Sequence, residues 1–362
     1  MRPLSGSVHR QFCLLACLAA LLACACANTP PAASPDAGAA AAADTAAGGD
    51  ASAGKDGATA TACSPLDGEL RVNHLQVLGT HNSYHIAKTP PPLQQWAYSH
   101  DPLPHQLEKQ GVRAFELDLH HLGSAVPIAV HHIQLLDELT SCATLGLCLQ
   151  QLRAWSDANP CHHPLLVTLE AKDDLEESMV ADHLDELEAQ VLAVWPKERL
   201  VKPDDVRRNH ATVQAGLQAQ GWPTLAESRG KLLIILYNNE GLLEKYRKLH
   251  PLMQGAVAFV FGAPGDPDTA ALLRDNPEAA GLPELAKQGY LLRTFPDATA
   301  AGTKAALASG AHIISTDHPV EKPDLPGFSL QLPGGSPSRC NPATAPALCT
   351  AAAVNAGVTA AP

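Results

Sequence analysis

Eight short runs rich in β-branched and aliphatic residues recur along the chain, at about 72–79, 112–119, 126–132, 164–170, 231–237, 256–262, 289–294 and 311–316. Helical patterns separate several of them. Residues 144–159 place Leu145, Leu149, Leu152 and Trp155 at helical spacing. Residues 175–195 set Leu184, Leu187, Val191 and Val194 against a side rich in carboxylates. The segments 241–249, 282–288 and 299–309 also read as helices. Strands alternating with helices predict a parallel sheet covered by helices. Eight such strands predict closure into a parallel α/β barrel. No internal repeat is visible.

The strand ends carry the chemistry. The first run leads into His81 and Asn82. The second holds Glu116 and Asp118, two residues apart and therefore on one face of the strand. The third delivers His131 and His132, and the fourth ends in Glu170. Lys172, Arg293 and Asp317 lie at or beyond strand ends as well. In a parallel barrel, functional residues gather at the C-terminal strand ends, so this placement predicts one site at one rim.

Asn82, Glu116, Asp118 and Glu170 form a hard, oxygen-only set of the kind calcium takes. Three carboxylates brought together without a cation would repel one another. Surface ion pairs with Arg113 or Lys172 are the alternative reading of the same residues.

Several segments together resemble the phosphatidylinositol-specific phospholipase C superfamily, in its secreted, calcium-dependent bacterial branch. They are Leu78-Gly-Thr-His-Asn-Ser-Tyr84, Gly111-Val-Arg113 with Phe115-Glu-Leu-Asp118, and Val130-His-His132 with Asp137 and Cys142. Trp155-Ser-Asp-Ala-Asn-Pro160, Leu169-Glu-Ala-Lys172 and Ser309-Gly-Ala-His-Ile-Ile-Ser-Thr-Asp317 complete the pattern. The resemblance implies the same α/β fold, as an irregular TIM-type (β/α)8 barrel. It also implies Ca2+ held by Asn82, Glu116, Asp118 and Glu170. In metal-independent relatives an aspartate follows the first histidine, whereas here it is Asn82.

The reaction implied is attack of an inositol 2-hydroxyl on the adjacent phosphorus, releasing diacylglycerol and a 1,2-cyclic phosphate. By resemblance, His81 hydrogen-bonds the phosphoryl oxygens and His132 protonates the leaving oxygen. Glu116 or Glu170 takes the hydroxyl proton. Lys172 and Arg293 are candidates to touch phosphate or inositol hydroxyls, or to form structural ion pairs. Adjacent strand residues face opposite ways, so only one of His131 and His132 faces the site. The family's spacing to Asp137 and Cys142 favours His132. The run Arg293-Thr-Phe-Pro-Asp297 departs from the Arg-Thr-x-Ala-Asp run associated with the bacterial branch. Rival readings are a glycerophosphodiester phosphodiesterase, a sphingomyelinase D-like lipase, and an inactive lipid- or glycan-binding lipoprotein. The first characteristically has arginine where Asn82 stands.

A formal charge of −12 with no lysine/arginine cluster argues against nucleic acid. It also argues against purely electrostatic docking on anionic lipid. Aromatic residues make up only 4% of the chain, which gives little support to an aromatic belt at a membrane. The chain is expected to act as a monomer.

Residues 1–23 read as an export signal: Arg2 and Arg10, then an apolar stretch from Phe12 to Ala23 that is too short to span a bilayer. Leu21-Leu-Ala-Cys24 resembles a lipobox, with Cys24 as the acylated residue. Cleavage after Ala25 or Ala27 is the alternative. Residues 24–62 lack apolar periodicity and read as a flexible tether. Residues 63–326 form the catalytic barrel. Residues 327–362 read as a Pro/Ala-rich tail of similar character.

Cys63, Cys142, Cys148, Cys161, Cys340 and Cys349 follow the leader. An even count in an exported chain predicts disulfides. Local spacing favours Cys142–Cys148 and Cys340–Cys349, leaving Cys63–Cys161.

Overall fold

The computed structural model describes residues 63–124, 126–172, 179–237, 241–320 and 327–358. The leader, Cys24, the tether and the first part of the expected helix 175–195 lie outside them.

The strands are β1 (Leu75–Thr80), β2 (Val112–His120), β3 (Ala129–Val130), β4 (Leu165–Ala171), β5 (Leu200–Val201), β6 (Leu232–Leu236), β7 (Phe259–Val260), β8 (Ala271–Leu273), β9 (Leu291–Thr294), β10 (Ile313–Thr316) and β11 (Ser338–Cys340). Parallel pairing runs from β1 through β2, β4 and β6 to β7, and from β1 the other way through β10 and β9 to β8. A parallel bridge between Phe261 and Ala271 joins the two arcs. The circuit is an eight-stranded parallel barrel, with β5 attached to the start of β6 outside it.

Two strand expectations change. The run 126–132 is not a barrel strand. Its core, β3, pairs antiparallel with the end of β2, Leu119 opposite Val130. The remaining barrel strand is β8, three residues among proline, glycine and aspartate, too short to show a period.

All residues of β1 and β2 are buried, as expected of strands covered on both faces. Gly79 lies where β1 is squeezed. A Cβ there would stand 3.1 Å from both Ala114 Cβ and Ile313 Cγ2. Arg113 does not pair with the carboxylates. It donates to the carbonyls of Leu107 and Val112 and lies over the Trp155 ring at 4.8 Å. The helix Leu145–Ala158 starts at Thr144, whose hydroxyl accepts the Leu147 N–H. It buries Leu145, Leu149, Leu152 and Trp155, the expected stripe. The helix Leu184–Val194 buries Leu184, Leu187 and Val191.

The segment after residue 327 packs on the barrel, contrary to the loose tail expected from its composition. Leu330 and Leu332 are buried. β11 pairs antiparallel with residues 75–77 of β1, the part that precedes the pairing with β2. Arg229 donates to the carbonyls of Ala353 and Val354. A few apolar anchors and an open strand edge outweigh a Pro/Ala-rich composition. The three disulfides pair as local spacing favours: Cys63–Cys161, Cys142–Cys148 and Cys340–Cys349. The first closes a sequence separation of 98 residues. In the chain-entropy account, such a loop is worth up to about 4–5 kcal/mol.

Buried neutral histidines link this core to pH. His312 accepts the Leu292 N–H at Nδ1 and donates from Nε2 to the Asn73 carbonyl. Burial holds its pKa down at about 3. An unfolded imidazole titrates near 6.5. As pH falls from about 6.5 towards 3, the unfolded chain therefore takes a proton that the folded chain refuses, and stability is lost. Between pH 7 and 5 the His312 share is about 2 kcal/mol. In urea melts, His312→Gln is expected to flatten the pH dependence of stability by that amount. Equal slopes would contradict the assignment.

Candidate active site

The turn after β1 is fastened to its neighbours. The His81 N–H donates to the Thr316 carbonyl, and the Ser83 N–H to the Glu116 carbonyl. Ser83 Oγ accepts the Glu116 N–H. Asn82 takes a left-handed backbone conformation, φ 44°, which asparagine tolerates better than most residues. These bonds place His81 and Asn82 beside the acidic pair of β2.

Glu116, Asp118 and Glu170 present carboxylate oxygens within 4.8 Å of one another. Asp118 on β2 and Glu170 on β4 are direct partners in the parallel register. Lys172 Nζ stands 2.9 Å from Glu170 Oε1 and 3.3 Å from Asp118 Oδ2. Asp118 is fully buried, yet neither of its oxygens accepts a well-formed hydrogen bond. Burial pushes its pKa up. Lys172 opposes that, and Glu170 and Glu116 add to it. Asn82 donates from Nδ2 to the Tyr98 hydroxyl, while its buried Oδ1 has no hydrogen-bond partner. Orphaned hard oxygens beside a self-repelling carboxylate cluster fit a calcium ion. Asn82, Glu116, Asp118 and Glu170 are the residues that would hold it.

Glu116 has two further neighbours. Arg293 Nη2 donates to its Oε2 at 2.6 Å, and His81 Nε2 lies 3.7 Å from its Oε1. Arg293 also pairs with Asp275 and donates to Ser315 Oγ. His81 donates from Nδ1 to Asp317 at 2.8 Å. Burial alone would lower its pKa, but Glu116 and Asp317 outweigh burial and raise it to about 9. The Phe295 ring packs 4.9 Å from the imidazole.

His132 belongs to a second pair. Its Nδ1 donates to Asp137 Oδ2 at 2.9 Å, and His85 Nε2 reaches the same oxygen at 2.8 Å. Burial lowers the His132 pKa to about 4, with Asp137 opposing and the nearby Lys172 charge assisting. The Trp96 ring meets His132 edge-on at 4.9 Å. His131 diverges from its neighbour and stacks on His120 at 3.7 Å.

The structure thus gathers His81, Asn82, Glu116, Asp118, Glu170, Lys172 and Arg293. His132 lies at their side, within reach of the Lys172 charge. Tyr98, Asp275, Ser315 and His85 were not read from the sequence as site residues. Asp275 follows β8, which gave no strand signal, and Tyr98 sits in a loop without periodicity.

No curated protein sequence matches the chain. Among solved structures, a calcium-dependent phosphatidylinositol-specific phospholipase C from Streptomyces antibioticus superposes with a TM-score of 0.53 at 20% identity, covering 68% of this chain and 95% of that one. A calcium-dependent phosphoinositol-specific phospholipase C from Pseudomonas sp, in apo form and as a myoinositol complex, gives 0.55 at 17% identity, covering 76% and 97%. At these identities the likeness concerns the fold. The family model described as phosphoinositide phospholipase C, Ca2+-dependent, matches residues 70–124 and 124–342. That span contains every carboxylate, histidine and cation of the site, and the chain belongs to the calcium-dependent phosphoinositide phospholipase C family.

Proposed function

We propose that the protein cleaves phosphatidylinositol, or a closely related inositol phosphodiester, to diacylglycerol and inositol 1,2-cyclic phosphate. The observation that carries this reading is the carboxylate cluster of Glu116, Asp118 and Glu170 with one imidazole held against Asp317 and another against Asp137. The inositol 2-hydroxyl oxygen forms the new bond to phosphorus, and the bond from phosphorus to the glycerol oxygen breaks. Bound calcium would lower the hydroxyl pKa and offset phosphate charge. Glu116 or Glu170 takes the hydroxyl proton. His81, held protonated by Glu116 and Asp317, donates to the phosphoryl oxygens. His132 delivers a proton to the glycerol oxygen, with Asp137 fixing its ring. The incoming phosphodiester anion offsets the burial and the Lys172 charge that keep His132 neutral in the empty site. Lys172 and Arg293 border the cluster and are the cations available to phosphate or inositol hydroxyls.

A lipid substrate is favoured by the rim. Leu135 is 82% exposed, and Leu136 and Leu139 are also exposed, in the loop that carries Asp137. Exposed Leu93 precedes Trp96, whose ring touches His132. Apolar side chains around a site mouth suit a membrane surface, through leucine rather than an aromatic belt. Burying one leucine is worth about 1.5–3 kcal/mol. Leu135→Asp is therefore expected to lower turnover of phosphatidylinositol vesicles about tenfold or more, with a soluble short-chain substrate little affected. Equal losses on both would remove the rim from the account.

The substrate class itself is tested by comparing phosphatidylinositol with glycerophosphodiesters in calcium. Turnover of phosphatidylinositol supports the proposal, and turnover of glycerophosphodiesters alone would overturn it. Three disulfides support export to an oxidising compartment. Anchoring through an acylated Cys24, on a monomeric enzyme, is part of the same proposal. Mass spectrometry of the mature N-terminus tests it, and an unmodified terminus downstream of Cys24 would refute the anchor.

A further inference from the structure

The side-chain amide of Asn82 has two ends of nearly equal shape and opposite use. Its oxygen can ligate calcium, whereas its NH2 group presents hydrogens that repel a cation. The torsion that exchanges the two ends is broad and roughly two-fold. The backbone does not choose between them. The bonds of His81 and Ser83 fix the turn, and φ 44° sets how Asn82 leaves it, but neither distinguishes oxygen from nitrogen.

Tyr98 supplies the distinction. It lies between β1 and β2, and its side chain is buried. Its hydroxyl oxygen stands 3.1 Å from Asn82 Nδ2. The same oxygen faces His81 Nδ1 at 3.4 Å, and that nitrogen carries the proton it gives to Asp317. Two N–H groups therefore point at the Tyr98 oxygen, which meets both as an acceptor. An acceptor at this place takes the NH2 end of Asn82 and leaves Oδ1, buried and without a hydrogen-bond partner, for another use. The tyrosine is itself held. Its ring packs on His85 at 4.6 Å and meets His100 edge-on at 5.4 Å. Its carbonyl lies 2.9 Å from His85 Nδ1. His100 Nε2 donates to the His81 carbonyl at 2.8 Å, which ties this loop to the turn that carries Asn82.

We propose that Tyr98 is a positioning residue for calcium, whose hydroxyl holds the Asn82 amide with its oxygen rather than its nitrogen free for the ion. The inference rests on the calcium assignment above and extends it to a residue that does not touch the ion. Tyr98→Phe removes one oxygen and keeps the ring and the carbonyl, so the contacts with His85 and His100 remain. The amide then has no fixed orientation before the ion arrives, and part of the binding free energy is spent on ordering it.

The test is calorimetric titration of the full chain with calcium chloride, without substrate, for wild type and Tyr98→Phe. The variant should bind calcium at least about tenfold more weakly, the usual cost of losing a group that orients a metal ligand. The calcium midpoint of turnover should rise by the same factor, and the maximum reached at high calcium should change less than the midpoint. In the Asn82→Asp background both ends of the side chain are oxygens. Calcium should still bind there, and adding Tyr98→Phe should change its affinity by no more than about twofold. Equal calcium affinity in wild type and Tyr98→Phe would overturn the proposal. So would a loss of about tenfold that persists in the Asn82→Asp background, since the hydroxyl would then act elsewhere than on the amide. Absence of calcium binding by Asn82→Asp would overturn it as well, because the side-chain oxygen would not be what the ion takes. A wild type that binds no calcium would remove the ligand set itself and this inference with it. Turnover of phosphatidylinositol is read separately, so a failure confined to Tyr98 leaves the proposed reaction standing.

Discussion

Alanine at His81 or at His132 is expected to lower turnover by about two to four orders of magnitude, the usual effect of losing an acid–base group. Neither ring is a core element: the side chains are 29% and 12% exposed. Asp137 keeps His85 when His132 is removed, so the carboxylate is not left buried without a partner. Unchanged thermal melting should accompany the loss. His131→Ala should be mild in turnover, because its ring stacks on His120 and does not share the Lys172 environment. A crippled His131 variant beside an active His132 variant would reverse the assignment.

The second large effect is loss of calcium. Chelation should abolish turnover, and calcium should restore it better than magnesium, which demands a stricter octahedral shell. Asp118→Asn should give a split signature. Asp118 is buried, and its pKa is pushed up by burial and by Glu170 and Glu116, against the opposing Lys172. In the metal-free fold the ionised form is therefore costly above the ordinary carboxylate range, and stability is gained as that charge is removed. The asparagine variant should melt no lower than wild type without calcium, and should lose both turnover and the stabilisation that calcium gives wild type. Lys172 retains Glu170 as a partner in this variant. Full turnover in excess chelator, after stripping bound metal, would contradict the calcium requirement. A metal-free variant that melts well below wild type would contradict the electrostatic reading of Asp118.

The barrel was legible where strands are long and apolar. β2, β4 and β6 stand within a residue or so of their expected bounds because burial on both faces leaves a continuous apolar run. β8 was not legible, since three residues carry no period. The run at 126–132 looked like a barrel strand because local hydrophobicity says nothing about pairing direction. The tail misled through composition, since partnership with β1 is a tertiary fact. The oxygen ligands were legible because period-two spacing puts Glu116 and Asp118 on one face. The partners of the histidines were less so. His81 meets Asp317 across 236 residues of sequence, and His85 shares Asp137 with His132 only because two loops fold against each other.

The central claim is attack by the inositol 2-hydroxyl at a calcium-dependent site. Phosphorus NMR of the products formed from phosphatidylinositol in calcium tests it most directly. The account predicts that the first product to appear is the five-membered cyclic phosphodiester of inositol, formed with diacylglycerol and absent when calcium is chelated. A first product that is instead an acyclic phosphomonoester, or phosphatidic acid with free inositol, would contradict it.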